Sequence, residues 1–162
     1  MDNIEYEYSF KVKDIKEYLL YLEDNGYKLT SNCNQQRILY KNKNKTMARV
    51  TIEEVNHKKI KKLDFKEDKL SDDDLTIRKE TKSLIFTNGD EIEEILAFLG
   101  YYKAKILIRN RSVYQKGNVK FEIDKYEYPF KDYVVALEGN QKDVDEEYKK
   151  LKDINEKNKK ID

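Results

Sequence analysis

The chain has 162 residues, 33 of them basic against 32 acidic, for a formal net charge of +1. That length suits one domain with a real core, and the charge balance excludes a global basic field that would recruit nucleic acid. A single cysteine, Cys33, excludes an intramolecular disulfide, and a single histidine, His57, excludes a multi-histidine metal site. Both read as spectators: Cys33 lies between two asparagines, and His57 opens a lysine-rich stretch. No run approaches the roughly 18 apolar residues of a membrane span. No signal-like apolar stretch opens the chain, so a cytoplasmic protein with no membrane partner is expected.

Ile4 to Val12 alternates strictly, with Ile4, Tyr6, Tyr8, Phe10 and Val12 on one face and Glu5, Glu7, Ser9 and Lys11 on the other. Period two with aromatic and β-branched residues predicts a strand. Asp14 to Asn25 follows as an amphipathic helix with Ile15, Tyr18, Leu19 and Leu22 on its apolar stripe, stopped by Gly26. Arg37 to Lys41 and Met47 to Val55 read as a hairpin. Leu63 to Glu67 and Leu75 to Phe86 read as two more strands. Asp90 to Leu99 is a second helix with acids in its first turn. Ala104 to Tyr114, Val119 to Lys125 and Tyr133 to Glu138 are the last strands, and a charged helix from Lys142 frays into a tail near Asn155. The organisation expected is one domain over 1–150, with 151–162 a charged helix end or disordered tail. No βαβ rhythm and no solenoid repeat is present.

Strand parity places the charges. Arg49 and Glu53 oppose Ala48, Val50 and Ile52; Asp64 and Lys66 oppose Leu63 and Phe65; Arg78 and Glu80 oppose Ile77. Arg109 and Arg111 oppose Ile106 and Ile108, and Lys120, Glu122 and Asp124 oppose Val119, Phe121 and Ile123. Two architectures satisfy this pattern. One is a half-buried antiparallel sheet with its charged face in water. The other is a closed barrel with its charges inside, where they must pair, hold a metal or hold an anion. Glu5 and Glu7 point two carboxylates the same way, as a hard divalent cation requires. Arg109 and Arg111 repeat that geometry with guanidinium forks, which match phosphate oxygens. No P-loop, GxGxxG or CxxC pair is present. Tyr126, Tyr128, Phe130 and Lys131 interleave aromatic and basic residues in the manner of a single-stranded nucleic-acid platform. The neighbouring Glu127 and Asp132 argue instead for ordinary loop packing, and no specific nucleic acid is expected.

The order of these motifs resembles the CYTH, or triphosphate-tunnel, superfamily. That family opens with E-x-E-x-K, and Glu5-Tyr6-Glu7 keeps both acids. A basic strand follows (Arg49), then a strand lysine (Lys66), then R-x-E (Arg78-Lys79-Glu80), then a helix ending L-G-[FY] (Leu99-Gly100-Tyr101). K-x-R-x-x-Y is matched by Arg109-Asn110-Arg111-Ser112-Val113-Tyr114, a strand ending in Asp by Asp124, and the closing E-x-E by Ala136-Leu137-Glu138. Two positions depart: Ser9 stands where the lysine would be, and Ala136 where the first closing acid would be. In a shifted register Lys11 supplies the lysine.

The resemblance implies a mainly β (α+β) fold, a closed eight-stranded antiparallel β-barrel with external helices. It implies a phosphohydrolase acting on a small triphosphate, of the inorganic or thiamine triphosphate type, with Mg²⁺ or Mn²⁺. The alternatives it leaves are a class IV adenylate cyclase-like enzyme and a diverged, non-catalytic polyphosphate- or nucleotide-binding module. On that reading Arg49, Lys66, Arg78, Arg109 and Arg111 hold phosphates. Glu5, Glu7, Asp124 and Glu138 hold the metal, and Glu7, Lys11 and Glu138 serve catalysis.

Overall fold

The computed structural model describes residues 4–44, 46–66, 70–72, 74–79, 84–86 and 91–161. The alternating opening forms β1 (Ile4–Val12), and the amphipathic segment after it forms α1 (Lys16–Asp24). The chain then builds β2 (Lys28–Lys41), β3 (Met47–Val55), β4 (Lys58–Lys66), β5 (Leu70–Asp72), β6 (Leu75–Lys79) and β7 (Leu84–Phe86). α2 (Ile92–Phe98) precedes β8 (Tyr102–Lys116), β9 (Val119–Tyr128) and β10 (Asp132–Gly139), and α3 (Gln141–Lys150) and α4 (Lys152–Asn158) follow. The ten strands make one antiparallel sheet in the order β5-β6-β1-β10-β9-β8-β2-β3-β4-β7.

Chain length forces this sheet to curl. β4 and β5 stand eight places apart in that order, which a flat sheet would separate by about 38 Å. Residues 67–69 alone join them, and four peptide steps reach at most about 14 Å. β6 and β7 are likewise eight places apart, and residues 80–83 allow at most about 18 Å. The two edges therefore approach each other. Among the described residues no ladder joins β5 to β7, so the sheet is curled but open. This corrects the expected closed eight-stranded barrel in both count and closure. The run from Leu75 to Phe86, which alternation reads as one strand, supplies β6 against β1 at one edge and β7 against β4 at the other.

The apolar strand faces point outward and are covered by helices. Phe10 and Val12 of β1, Phe121 of β9 and Leu137 of β10 pack with Tyr18 and Leu22 of α1, Val144 of α3 and Leu151. Across the sheet, Ile38, Val50 and Leu63 pack with Ile92 and Leu96 of α2. The opposite, polar face is left to the inside of the curl. Gly139 ends β10 at φ 155°, where a Cβ would meet the Asn118 carbonyl oxygen at 2.5 Å. A glycine is needed there for β10 to pass the β8–β9 turn.

The segment expected as a tail is ordered by buried contacts. Asn140 caps α3 by accepting from the Asp143 amide at 2.9 Å. Leu151 is fully buried, and the Tyr18 hydroxyl donates to Asn155 Oδ1 at 2.8 Å. Tyr18→Phe leaves that buried oxygen without its donor, so we expect a loss of about 1–2 kcal/mol, read by urea unfolding.

Five tyrosines in these layers are held protonated. Burial, then the acceptor Asp145, pushes Tyr8 up to about 12. Burial, then Glu93, does the same for Tyr40. Burial also raises Tyr18, Tyr21 and Tyr27. These groups sit above their unfolded value of about 10. Their stabilisation is therefore complete below about pH 10 and is lost as pH rises through the folded values. Urea midpoints should hold steady from about pH 8 to 9.5 and fall steeply above pH 10; a flat profile to pH 12 would contradict the assignment.

Candidate functional site

β1, β10, β9, β8, β2, β3 and β4 each turn a polar row into the curl. Register then decides which rows meet. Glu7 of β1 stands opposite Glu138 of β10, which stands opposite Lys120 of β9. Lys11 stands opposite Val134, Val134 opposite Asp124, and Asp124 opposite Arg111 of β8. Arg37 of β2 stands opposite Thr51, and Leu39 opposite Arg49.

At one end of the curl, carboxylate oxygens of Glu5, Glu7 and Glu138 lie within 4.8 Å of one another. Burial, then a hydrogen bond with Glu5, raises the Glu138 carboxyl above its ordinary range, and Lys120 works against that shift. Lys120 ion-pairs with Glu138 and reaches Glu122 at 3.7 Å. The carboxylates gather because Glu5 and Glu7 share one face of β1 and the ladder sets Glu138 of β10 opposite Glu7. Close like charges cannot all ionise without a cation or a shared proton.

The middle of the curl is cationic. Arg109, 3% exposed, donates from Nε to Gln35 at 2.9 Å. Its Nη1 donates to Asp124 at 3.1 Å and to the Tyr126 hydroxyl at 2.9 Å, while its buried Nη2 has no hydrogen-bond partner among the described residues. Arg111 binds Asp124 through Nε and Nη2, both at 2.7 Å, and Glu122 through Nη1 at 2.7 Å. Burial opposes the Arg111 charge, but Asp124 and Glu122 outweigh it and hold the guanidinium above its ordinary value. Arg49 makes a two-point pair with Asp64 at 2.8 and 2.9 Å.

Arg37 is different. Its one polar contact among the described residues is Nε to the Thr51 hydroxyl at 3.3 Å. Burial, then the charges of Arg109, Arg49 and Arg111, holds its guanidinium well below the ordinary value. A cation in that setting is costly unless an anion compensates it.

The predicted site residues therefore divide. Glu5, Glu7 and Glu138 come together, and so do Arg109 and Arg111, with Arg49 close enough to repel Arg37. Asp124 does not join the carboxylate group: it lies four residues along β9 from Lys120, the partner of Glu138, and its oxygens are committed to both arginines. Lys11 shares the Glu7 face, but four residues along a strand carry it about 13 Å away. There it pairs with Asp132 at 3.9 Å and lies over the Phe130 ring at 5.1 Å. Arg78 faces Glu5 in the ladder, and Lys66 ends β4; the side chains of both, and all of Glu80, lie outside the described residues. Ser9 and Ala136, the two departures, are direct cross-strand partners beside Glu122. A lysine at 9 and an acid at 136 would face each other, so a charged pair is replaced by a neutral one.

Arg37 is the residue the sequence pattern does not single out. Its strand carries polar residues on both faces, in Gln35-Gln36-Arg37, and Leu39 shares its parity. The available signal is Ile38 and Tyr40, whose apolar parity assigns Arg37 to the inside.

No family model and no curated protein matches this chain. Its fold does match solved structures. The PH1012 protein of Pyrococcus horikoshii OT3 aligns at TM-score 0.67 with 19% identity, over 94% of this chain and 88% of that one. A candidate adenylate cyclase of Vibrio parahaemolyticus aligns at 0.66 with 12% identity, over 93% and 86%. HpAC1 of Hippeastrum, a candidate adenylyl cyclase with a dominant triphosphatase activity, aligns at 0.61 with 11% identity, over 92% and 87%. The fold is thus one shared with cyclase-like and triphosphatase proteins, in agreement with the CYTH resemblance in the motif order. No helix among the described residues is long and apolar enough to cross a membrane.

Proposed function

We propose that this chain is a metal-dependent phosphohydrolase that acts on a small triphosphate. The observation that carries the reading is Arg37, held among Arg49, Arg109 and Arg111 with no carboxylate partner among the described residues. Its position faces the same interior as the Glu5, Glu7 and Glu138 carboxylates. A polyanion with a divalent cation at one end satisfies both halves at once.

The donor set fits a hard cation: three carboxylates converge, and a divalent ion would offset the like charge gathered there. Mg²⁺ or Mn²⁺, when bound, would neutralise charge on the phosphoryl oxygens. The chain's own residues do the rest. Arg37 and the free Nη2 of Arg109 donate to phosphate oxygens. Arg111, fixed by Asp124 and Glu122, holds a static positive field that needs no reorganisation as charge develops. Lys120, released from Glu138, moves to the phosphoryl oxygens. Glu7 and Glu138 orient the attacking water and one of them accepts its proton as the new P–O bond forms and the anhydride P–O bond to the leaving phosphate breaks.

A second reading is a triphosphate-binding module without turnover. It is favoured by the Lys120–Glu138 ion pair, which occupies an acid the metal would need, and by the neutral Ser9–Ala136 pair. Phosphate release from a panel of triphosphates with Mg²⁺ or Mn²⁺ separates the two, with cyclic AMP measured alongside to detect cyclisation. Hydrolysis that disappears with chelator supports the enzyme. Binding without release supports the module. Failure to bind any triphosphate in a folded sample defeats both. Should the wild type bind without turnover, Ala136→Glu alone is expected to raise Mn²⁺ affinity several-fold, checked by metal titration.

A further inference from the structure

The outer face of the sheet is covered unevenly. α2 sets Ile92 and Leu96 on the sheet, where they pack with Ile38, Val50 and Leu63. At about 100° per residue the two flanks of the helix then differ. One flank carries Glu93, which accepts from the Tyr40 hydroxyl at 3.2 Å and pairs with Lys103 at 4.0 Å. That flank therefore faces β2 and β8. The other carries Ile95 and Leu99, both exposed, and faces β4 and β7. Phe98 projects from the helix away from the sheet and is 91% exposed.

Two strand residues continue the apolar flank. Leu84 of β7 is the ladder partner of Leu63. It stands on the same outer face, one strand beyond, and is 57% exposed. Phe65 of β4, two residues past Leu63, is also exposed, and its ring meets Tyr101, just after α2, at 6.0 Å. The helix flank and the strand layer below it thus form a step with apolar sides, and Phe98 is a knob above it. These five side chains leave roughly 600 Å² uncovered in one place, the upper end for the largest apolar patch of a monomer. The charges beside the step are sorted by element. Glu91, Glu93 and Glu94 open the helix, which carries no basic residue, while the outward row of β4 carries Lys59 and Lys61 and no acid.

We propose that this face is a self-association surface, and that its occupant is a second copy of the chain related by a twofold axis. A twofold interface uses the same patch on both copies, so the patch must complement itself. This one does so in shape and in charge. Seating Phe98 of each copy against the step of the other buries about 1,200 Å² in total, the lower bound for a specific interface. The same arrangement sets each acidic helix beside the other copy's lysine row. Aromatic side chains at the centre with charges at the rim are the usual anatomy of such contacts. The surface lies outside the curl, so pairing leaves the arginines and the carboxylates open to their ligand.

Sedimentation velocity on the full chain, from about 1 µM to about 500 µM, tests this. The expected result is a concentration-dependent rise from the 19.5 kDa chain mass toward twice that value. Phe98→Lys should weaken association at least about thirtyfold. A lysine suits a helix C-terminus, and the side chain it replaces is exposed, so the urea midpoint should match that of the wild type. Ile95→Glu, on the flank of the step, should weaken association likewise and serves if Phe98→Lys fails to fold. Leu20→Lys changes an exposed leucine of α1, away from the step, and should associate as the wild type does. Three results overturn the proposal. One is a wild type that keeps the chain mass throughout, which would leave the face to a different protein. Another is undiminished association in folded Phe98→Lys or Ile95→Glu. The third is a Leu20→Lys variant that dissociates as fully as they do.

Discussion

Arg37→Met should bind inorganic triphosphate at least about tenfold more weakly than the wild type and be no less stable. A charge-assisted hydrogen bond contributes on the order of 1.5–3 kcal/mol, which converts to roughly ten- to over a hundredfold in affinity. Arg37 is placed to make such bonds because, among the described residues, a single contact to Thr51 at 3.3 Å is its share of the internal hydrogen bonding, close to the long limit for a useful one. In the unliganded chain the same residue is a burden. Burial and three neighbouring guanidiniums oppose its charge, and an apolar side chain of similar length removes that opposition while filling the space. Function and stability therefore separate at this position, as they do where a site is held in readiness for a ligand. Calorimetry and thermal unfolding on one sample would check both halves. Unchanged triphosphate affinity in a folded variant, or a midpoint several degrees lower, would sink the assignment.

What was legible in the sequence follows from how local each property is. Side-chain parity is set by the next residue along a strand. The inward rows carrying Glu5 and Glu7, Arg109 and Arg111, and Asp124 could therefore be read directly, as could the outward rows that form the two apolar clusters. Pairing is not local. That Glu138 meets Glu7 while Asp124 meets Arg111 is a matter of register across β1, β10, β9 and β8. No spacing within a single strand encodes it, which is why Asp124 reads as a metal ligand in sequence and is an arginine partner in the fold. The same reason governs the count of strands. The run from Leu75 to Phe86 reads as one strand, yet its two ends pair with opposite edges of the sheet. Charge density misleads at the C-terminus: lysines and acids dominate 141–160, but Val144, Leu151 and Asn155 are the residues that dock it.

Asp124→Ala should cost about 3–5 kcal/mol of stability, the range for breaking a buried pair from one side, and triphosphate should recover part of that loss. Asp124 is 2% exposed and accepts from Arg109 Nη1 at 3.1 Å and from Arg111 Nε and Nη2 at 2.7 Å each. Removing it leaves Arg109 with Gln35 and Tyr126, and Arg111 with Glu122, among the described residues. Two buried guanidiniums then face each other and Arg37 with one carboxylate among them. A bound triphosphate supplies the missing negative charge. Because a ligand stabilises the folded state according to its affinity for it, the rise in unfolding midpoint on adding triphosphate should be larger in Asp124→Ala than in the wild type. A metal-ligand role predicts the reverse, since loss of a ligand would weaken metal-assisted binding and shrink the rise. Glu138→Ala serves as the comparison: it removes a member of the carboxylate group and should abolish the response of the midpoint to Mn²⁺, whereas Asp124→Ala should keep it. Thermal unfolding of the three proteins with and without triphosphate and Mn²⁺ decides the matter. A cost below about 1 kcal/mol, or a triphosphate response no greater than that of the wild type, would remove Asp124 from the centre of the arginine cluster and return it to the metal.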